Sequence, residues 1–368
     1  MKVPPHSSPL PSIDRYQRHL VAAADWLGRS ERPGGGSAAQ FTPMLGWSRA
    51  YPETTGYIIP TLLEVARRSG DESHRARAIR LGKWLLSIQN ADGSWNGGKH
   101  PSRNPTPSVF NTGQILKGMV ALWRSSRDTV WLDAAGRGSS WLAVGMGSDG
   151  LWKGGDYRST GTPSYYSHVL WPLLEVAAER GDDQAREAAA RGARTIVART
   201  RGNGVISGWS FQEGAPAFTH TIAYTIRGIQ ECGRILDDRA MMDSVTPALD
   251  TLVRRSELRA GALPGAFDEE WKPAGDYVCL TGNAQVARCV LIQEARSPDL
   301  RLVSAAAKMV DVVCGHQRLQ SPIAGIRGAV GGSAPLSGAY MRFRYPNWAA
   351  KYLCDAIMVL SDRLEKEP

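Results

Sequence analysis

Six polar residues recur along the chain, each at the start of a mainly apolar segment. They are Glu53, Asn111, His168, His220, Asn283 and Asn347, and successive members lie 52 to 64 residues apart. Carboxylate and imidazole groups transfer protons in enzymes, and amides fix the hydroxyl groups of ligands. We therefore expect the starts of these segments to converge on one polar site.

The elements that must position these residues are helices arranged in pairs. Apolar residues recur three and four positions apart, which is the spacing of an amphipathic helix. A glycine-rich loop separates the members of a pair, as in QNADGSWNGG at positions 89–98, and lets the chain reverse its direction. The second helix of each pair is the more apolar one, which is typical of an inner helix that is buried on both faces.

Six such pairs occupy the chain and leave no room for another domain. A repeat of this length is typical of stacked or closed arrays of helical hairpins. We predict an all-α fold, an (α/α)6 toroid of six helical hairpins that forms a single domain over residues 1–368. The first helices would form the outer ring and the second helices the inner ring. Residues 1–12 are expected to be a disordered tail, and Trp95 to fill the gap between neighbouring hairpins.

The composition of the chain limits its possible cellular location and binding partners. Hydrophobic residues make up 42% of the chain and charged residues 21%, as in a globular protein. No apolar run is long enough to span a membrane, and the first residues lack the apolar core of a secretory signal, so we predict a cytoplasmic location. The net charge of +9 comes without a basic block or nucleic-acid motif, which argues against a nucleic-acid partner. A basic surface or a polyanionic partner remain as explanations.

Five cysteines are scattered along the chain without a spacing pattern. They are Cys232, Cys279, Cys289, Cys314 and Cys354. Most lie in apolar helical segments, so we expect buried thiols, no disulfide and no metal site. We also expect no cofactor.

The stretch QNADGSW, residues 89–95, resembles the Q-x-x-x-G-x-W repeat of terpenoid cyclases and protein prenyltransferases, whose barrels are α/α toroids. The acidic motif of squalene-type cyclases is absent. The zinc ligands of prenyltransferases are matched only in part, by Asp276 and Cys279 at the wrong spacing. The resemblance therefore implies the toroid and not isoprenoid chemistry.

Two further resemblances imply a glycan context. DGSWNGG is similar to a loop of toroidal polysaccharide lyases, although their β-domains and full catalytic set are not found. The segments GWSRAYPETTGYIIPTLLE, YVCLTGNAQVA and RYPNWAAKYLCDAI resemble a toroid family encoded among bacterial exopolysaccharide genes. These resemblances imply a glycan context and a role in exopolysaccharide biosynthesis. The net positive charge favours an acidic oligosaccharide or polysaccharide as partner, and the cytoplasmic location favours a lipid-linked one.

In a ring of hairpins, all inner helices begin at the same end and present free N–H groups there. Aromatic rings that stack on sugars and polar groups that bind hydroxyls are concentrated at these starts. The catalytic candidates are His220, Glu53, His168, Asn111 and Tyr166. The substrate-binding candidates are Trp47, Arg49, Tyr51, Tyr57, Asp156, Tyr165, Tyr224, Asp276, Asn283, Arg342, Arg344, Tyr345, Asn347 and Trp348.

These residues also have structural interpretations. Glu53 in a first helical turn can simply stabilise the helix dipole. Asn111 and Asn283 can be buried caps, and His168 and His220 can be buried core histidines. Some of the tyrosines are expected to belong to the core.

Three functions fit the candidates. Elimination or epimerisation of a uronate needs a group that neutralises its carboxylate, which Asn111 or Arg344 would supply, with His220 as base and a tyrosine such as Tyr166 as acid. Inverting hydrolysis would use Glu53 with Asp156 or Asp276. The third function is a non-catalytic glycan-binding component of a polysaccharide assembly machine.

Overall fold

The computed structural model describes residues 13–154 and 161–366. The predicted tail over 1–12 lies outside the described residues. Helices form two concentric rings, which confirms the all-α toroid. The outer helices are α1 (Ile13–Arg29), α3 (Glu72–Ser87), α5 (Thr129–Val144), α7 (Asp183–Val197), α10 (Thr246–Glu257) and α12 (Leu300–His316). The inner helices are α2 (Pro52–Ser69), α4 (Val109–Ser126), α6 (Ser167–Arg180), α8 (Thr219–Leu236), α11 (Leu280–Arg296) and α13 (Asn347–Leu364).

The two rings differ in how their helices begin. Most outer helices follow an aspartate whose carboxylate accepts a backbone N–H of the first turn, as Asp71 does from Ser73. Four of the inner helices, α2, α6, α8 and α13, start without a side-chain cap. Their first N–H groups thus do not bind a capping side chain of their own helix, and the positive ends of these helices meet at one end of the ring.

The fifth outer segment is not one helix. The apolar spacing predicts continuous helix over residues 241–257, but the chain forms a short helix, α9 (Arg239–Asp243), before α10. The break falls just before Pro247, which lies in the first turn of α10. Proline has no N–H to donate and its ring opposes a preceding helical turn, so the helix restarts there.

The first and last hairpins are in contact, which closes the ring. Strand β1 (Gln40–Thr42) pairs antiparallel with β7 (Tyr345–Pro346), in the register that places Phe41 opposite Tyr345. Between the inner helices, the Thr61 hydroxyl donates to a carboxylate oxygen of Asp355 at 2.8 Å. The prediction of a closed toroid is therefore confirmed.

Glycines in the loops let each hairpin approach the next outer helix. Gly93 has a φ of +91°, and a Cβ there would lie 2.5 Å from the carbonyl oxygen of Arg137 in α5. Gly328 has a φ of +85°, and a Cβ there would lie 2.2 Å from the carbonyl oxygen of Ala22 in α1. Only glycine fits such contacts. The second of them joins the sixth hairpin to the first.

Trp95 has the structural position that the sequence predicts. Its ring is fully buried, and its Nε1–H donates to the carbonyl of Leu85 at 2.8 Å. A Cβ added to Gly138 of α5 would lie 2.9 Å from the same ring. Trp95 thus fills the gap between the second and third hairpins.

The strands are two or three residues long and join neighbouring loops where the inner helices begin. Besides β1 and β7, they are β2 (Gly46–Trp47), β3 (Ala217–Phe218), β4 (Ala266–Phe267), β5 (Val278–Cys279) and β6 (Ser333–Ala334). β1 pairs with β2, β3 with β4 and β5 with β6, all antiparallel. In the described residues, no helix has the length and apolar character needed to cross a bilayer.

Candidate active site

A cavity of about 1240 Å³ lies at the end of the ring where the inner helices begin. We call it the aromatic cavity, because tyrosine, phenylalanine and tryptophan side chains form much of its wall. Many of the predicted residues line it: Tyr51, Glu53, Tyr57, Asn111, Tyr165, Tyr166, His220, Tyr224 and Trp348. His220 and Glu53 therefore share one cavity.

His220 lies in the first turn of α8, and a glutamine defines its tautomer. The distance from Nδ1 to Oε1 of Gln285 is 2.8 Å. A glutamine oxygen only accepts, so Nδ1 carries the proton and Nε2 is left unprotonated. Burial lowers the pKa of His220 to about 4, against the opposing effect of the Gln285 hydrogen bond. At neutral pH the imidazole is uncharged and able to accept a proton at Nε2.

Three tyrosines, Tyr57, Tyr224 and Tyr352, pack on one another beside His220, and we call them the tyrosine layer. The ring of Tyr224 lies 4.2 Å from that of His220 and stacks at 4.2 Å on His168. Tyr352 lies 5.8 Å from Tyr57 and 6.0 Å from Tyr224 between ring centroids. Burial raises the pKa of all three tyrosines, so their hydroxyls remain protonated hydrogen-bond donors at neutral pH.

Glu53 brings a carboxylate to the same layer. It lies in the first turn of α2 and its side chain is buried, with 8% exposed. Burial and then the nearby Glu53 charge raise the pKa of Tyr57, and the same carboxylate also acts on Tyr224 and Tyr340. Among the described residues that line the aromatic cavity, Glu53 is the only carboxylic acid.

Asn111 faces the cavity from the first turn of α4. Its backbone N–H donates to the hydroxyl of Ser108 at 3.1 Å, and its Nδ2 donates to the carbonyl of Asn96 at 3.0 Å. The cap and the loop thus hold the amide in one orientation. Because an amide nitrogen carries two hydrogens, Asn111 keeps the capacity to donate to a ligand.

Sequence reasoning missed several residues of this site. Gln285 orients His220 but lies inside α11, and nothing in its spacing marks it. Tyr340 lies 5.3 Å from the His220 ring, and its hydroxyl accepts from Nε1 of Trp348 at 2.9 Å. It comes from the loop before α13, where helical periodicity gives no signal. Phe110 lies one residue before Asn111 and packs on three tyrosines of the wall.

Two predicted asparagines do not face the cavity. Asn283 is fully buried, donates to the carbonyls of Gly261 and Met309, and accepts from the N–H of Leu263. Asn347 is also fully buried and donates to atoms of Ser37, Ala38 and Thr54. Both amides tie loops to inner helices. Asn283 and Asn347 therefore have a structural role here instead of the predicted substrate-binding role.

Two predicted aromatic residues also belong to the framework. Trp47 in β2 packs on Trp26 at 5.0 Å and on Phe41 at 5.3 Å between ring centroids. Tyr345 is buried in β7 and pairs with Phe41 across the strands that close the ring. Neither lines the aromatic cavity.

Four other predicted charged residues lie outside the cavity wall. Arg49, Arg342, Arg344 and Asp276 are exposed and are absent from its described lining. Burial lowers the pKa of Lys99, and the charges of Arg344 and Arg49 lower it further. Since Lys99 follows the cavity-lining Gly98, these three cations stand together near the mouth. Asp156 lies outside the described residues.

His168 lines a different cavity. A second cavity of about 360 Å³ follows the ring axis toward the ends of the inner helices, and we call it the cationic cavity. It contains charged residues that sequence reasoning missed: Lys117, Arg227, Arg288 and Lys351. A charge in the middle of an apolar inner helix, such as Lys117 in QILKGMV, was the available signal. His168 and Tyr224 are stacked between the two cavities.

No protein-family model and no curated protein sequence matches the chain. Solved structures do resemble it. An unsaturated glucuronyl hydrolase specific for heparin superposes with a TM-score of 0.77 at 16% identity, over 96% of this chain and 99% of that chain. A cellobiose 2-epimerase from Bacillus thermoamylovorans superposes with a TM-score of 0.76 at 11% identity, over 94% and 98%. A cellobiose 2-epimerase from Spirochaeta thermophila gives 0.73 at 14% identity, over 98% and 100%. At this identity the likeness establishes the α/α-toroid fold.

Proposed function

We propose that this chain is a saccharide-converting enzyme in which His220 moves a proton at a sugar carbon, so that the sugar is epimerised or undergoes β-elimination. The observation that carries the proposal is the state of His220. Its imidazole is neutral, and its Nδ1 is hydrogen-bonded to Gln285. The unprotonated nitrogen is Nε2, and the side chain that carries it lines the aromatic cavity. A general base requires this state at neutral pH.

The chemical step would begin with removal of a proton from the carbon next to a carbonyl or carboxylate group. The electron pair of the broken C–H bond moves onto the carbonyl oxygen and forms an enolate. Protonated tyrosine hydroxyls, including Tyr57 and Tyr224, would donate hydrogen bonds to the developing charge, and Asn111 would do so from its amide. For epimerisation, a tyrosine hydroxyl of the cavity would give its proton to the opposite face of the carbon, and the proton on His220 would return to that tyrosinate through solvent. For elimination, the β-oxygen would leave with a proton from a group such as Tyr166, which gives an unsaturated sugar, and the proton on His220 would restore the tyrosine.

The substrate we propose is an acidic or carrier-linked saccharide. The wall of the aromatic cavity supplies rings for sugar faces, and its volume of about 1240 Å³ admits an oligosaccharide. Lys99, Arg49 and Arg344 near the mouth would attract an acidic group of the ligand. A place in exopolysaccharide biosynthesis belongs to the same proposal and is supported by the sequence resemblance. The likeness to a glucuronyl hydrolase and to cellobiose epimerases is compatible with a saccharide substrate.

The test incubates the purified chain in D2O with uronate-containing oligosaccharides and with neutral disaccharides. Deuterium at a sugar carbon without cleavage would show epimerisation, and a product absorbing in the ultraviolet would show elimination. His220→Asn should lower turnover by about a hundredfold or more. His316→Asn, which changes an exposed histidine at the end of α12, is the matched control and should leave turnover unchanged.

Hydrolysis is the second candidate, because Glu53 gives the cavity one buried carboxyl group. New reducing ends without ultraviolet absorption, lost in Glu53→Gln and retained in His220→Asn, would replace the proton-transfer proposal with hydrolysis. Binding of the saccharide without any product would leave the glycan-binding function. Either result would overturn the role proposed for His220.

A further inference from the structure

The cationic cavity lies beyond the tyrosine layer, away from the aromatic cavity. Its described lining contains six basic side chains and four acidic ones. Near the outer end, Arg68 pairs with Glu64 and Asp362, and Arg124 pairs with Glu175. In these pairs the carboxylates neutralise the arginines. The excess of positive charge therefore lies deeper, between the middle turns of the inner helices.

Lys117 is the least compensated of the deep cations. Its side chain is buried, with 7% of the residue exposed, and its Nζ donates to Oε1 of Gln114 at 2.8 Å. The ammonium also lies 4.1 Å from the centroid of the Trp171 ring. Within the described part of the chain, no carboxylate lies within 4.0 Å of this nitrogen. A buried ammonium without a counterion is costly, so burial, and then the charge of Lys351, lower the pKa of Lys117. An oxyanion bound beside it would stabilise the charged form.

The neighbouring cations are only partly neutralised. Arg288 and Lys351 share the single carboxylate of Asp355, the latter at 2.5 Å. Arg227 pairs with Glu231 at 2.5 Å. Among the described residues, the Nε atoms of Arg227 and Arg288 have no hydrogen-bond partner. The ion pairs use one terminal nitrogen of each arginine, Nη2 of Arg227 and Nη1 of Arg288, so the other terminal nitrogens can donate to the acceptor oxygens of a ligand.

His168 supplies an independent sign of a missing ligand. The residue is 2% exposed and lines the cationic cavity, and its Nδ1 has no hydrogen-bond partner in the described structure. Nearly all buried polar side-chain atoms in proteins have a partner, so an orphaned ring nitrogen beside four cations calls for one.

From these contacts we propose a second binding site, in which Lys117, Arg227, Arg288 and Lys351 hold a phosphate-type oxyanion inside the ring. Lysine and arginine donors bind phosphate oxygens through charge-assisted hydrogen bonds. The cavity of about 360 Å³ has room for a phosphate that is free or attached to a single sugar. The site is distinct from the aromatic cavity.

Calorimetric titration with inorganic phosphate at constant ionic strength tests the site. Wild type should bind one phosphate per chain, and its melting temperature should rise until the site is saturated. Lys117→Met should lower the phosphate affinity by about tenfold or more. Without phosphate it should melt at the same or a higher temperature than wild type, because an apolar side chain replaces a buried amine that has no carboxylate partner. Lys117→Gln should show the same loss of affinity.

Lys83→Met is the matched control, since Lys83 is exposed on the outer helix α3. It should bind phosphate like wild type. Titration with a hexose 6-phosphate separates the two sources: tenfold tighter binding than inorganic phosphate assigns a phosphorylated sugar, and equal binding assigns free phosphate. Absence of binding to wild type, or equal affinity in wild type and both Lys117 variants, would overturn the proposal.

Discussion

The two cavities on the ring axis share residues of the inner helices α2, α4, α8 and α13 in their walls but differ in charge. The described wall of the aromatic cavity contains one carboxylic acid and no lysine or arginine. The cationic cavity contains six basic and four acidic side chains. Tyr57 lines both, and Tyr352 packs on it from the cationic side. One helical ring therefore presents two chemically different sites, separated by a layer of aromatic side chains.

The contrast has a physical basis in the direction of the inner helices. Their N-terminal ends already carry partial positive charge, so a single carboxylate and neutral hydrogen-bonding groups are favourable there. Their C-terminal ends carry partial negative charge, which favours basic residues such as Arg68 and Arg124. This effect falls off within one turn of the helix end. It therefore accounts for the outer cations of the cationic cavity. The deep cations are stabilised by ion pairs and, in our proposal, by a bound oxyanion.

The largest expected effect concerns the ion pairs of the cationic cavity. Asp355→Asn removes the carboxylate that serves Lys351 and Arg288, and leaves both cations without it. We expect the free energy of unfolding to fall by about 3–5 kcal/mol, as when one partner of a buried pair is lost. Urea denaturation measures it. Glu187→Gln on α7, whose ion pair with Arg194 is exposed, is the control and should change stability by less than about 1 kcal/mol. A small loss in Asp355→Asn would mean that the cationic cavity tolerates unpaired charge.

An intermediate effect should separate the framework of the ring from the aromatic cavity. Asn347→Ala removes the amide donor that serves buried oxygens of Ser37, Ala38 and Thr54, so the free energy of unfolding should fall by about 1–3 kcal/mol while turnover of folded protein persists. Asn111→Ala should cost less stability, because its amide makes one hydrogen bond to the loop, but should lower turnover. Denaturation and activity assays on the same preparations compare them. If Asn347→Ala lowered turnover and Asn111→Ala mainly lowered stability, Asn347 would belong to the site and Asn111 to the framework.

The effect that is smallest at neutral pH, and grows only as the pH falls, concerns the histidines on the two sides of the tyrosine layer. Burial lowers the pKa of His220 to about 4 and that of His168 well below 6.5. The unfolded chain therefore binds more protons below pH 6.5, and the free energy of unfolding should fall as the pH drops from 6.5 toward 4. Each histidine contributes a slope of about 1.4 kcal/mol per pH unit at most.

Denaturation curves at several pH values would measure this slope. His220→Asn should remove its own contribution and leave those of His168 and His19, whose pKa values are also lowered by burial, in place. His316→Asn is the comparison: burial also lowers the pKa of this exposed histidine, but less than that of His220, so the slope should fall by a smaller amount. An unchanged slope in His220→Asn would show that His220 is not held neutral by burial.

Much of the fold could be predicted because hairpin positions depend on local patterns. Apolar spacing and glycine-rich loops place the helices without reference to distant residues, and six similar hairpins close into a ring. The break before Pro247 was not predicted, because the apolar spacing continues across it and does not show that proline interrupts the helix. The positions of the inner-helix starts, and hence the residues near the aromatic cavity, follow from the same pattern.

Which way each side chain faces could not be predicted from its position alone. His168 and His220 both lie second in their helices, yet a 3-10 turn (Ser164–Tyr166) precedes α6, whereas strand β3 precedes α8. The two helices enter the ring differently, and about 100° of rotation per residue separates neighbouring side chains on a helix. His168 consequently lines the cationic cavity and His220 the aromatic one.

The amino-acid sequence by itself determined the helices, their pairing into hairpins and the end of the ring at which polar residues gather, because these depend on short-range periodicity and turn chemistry. Only the tertiary structure decided that Gln285 orients His220, that Asn283 and Asn347 bind loops, and that Lys117 lies near cations from three other helices. These contacts join residues of different hairpins, and their geometry depends on the rotation and closure of the whole ring.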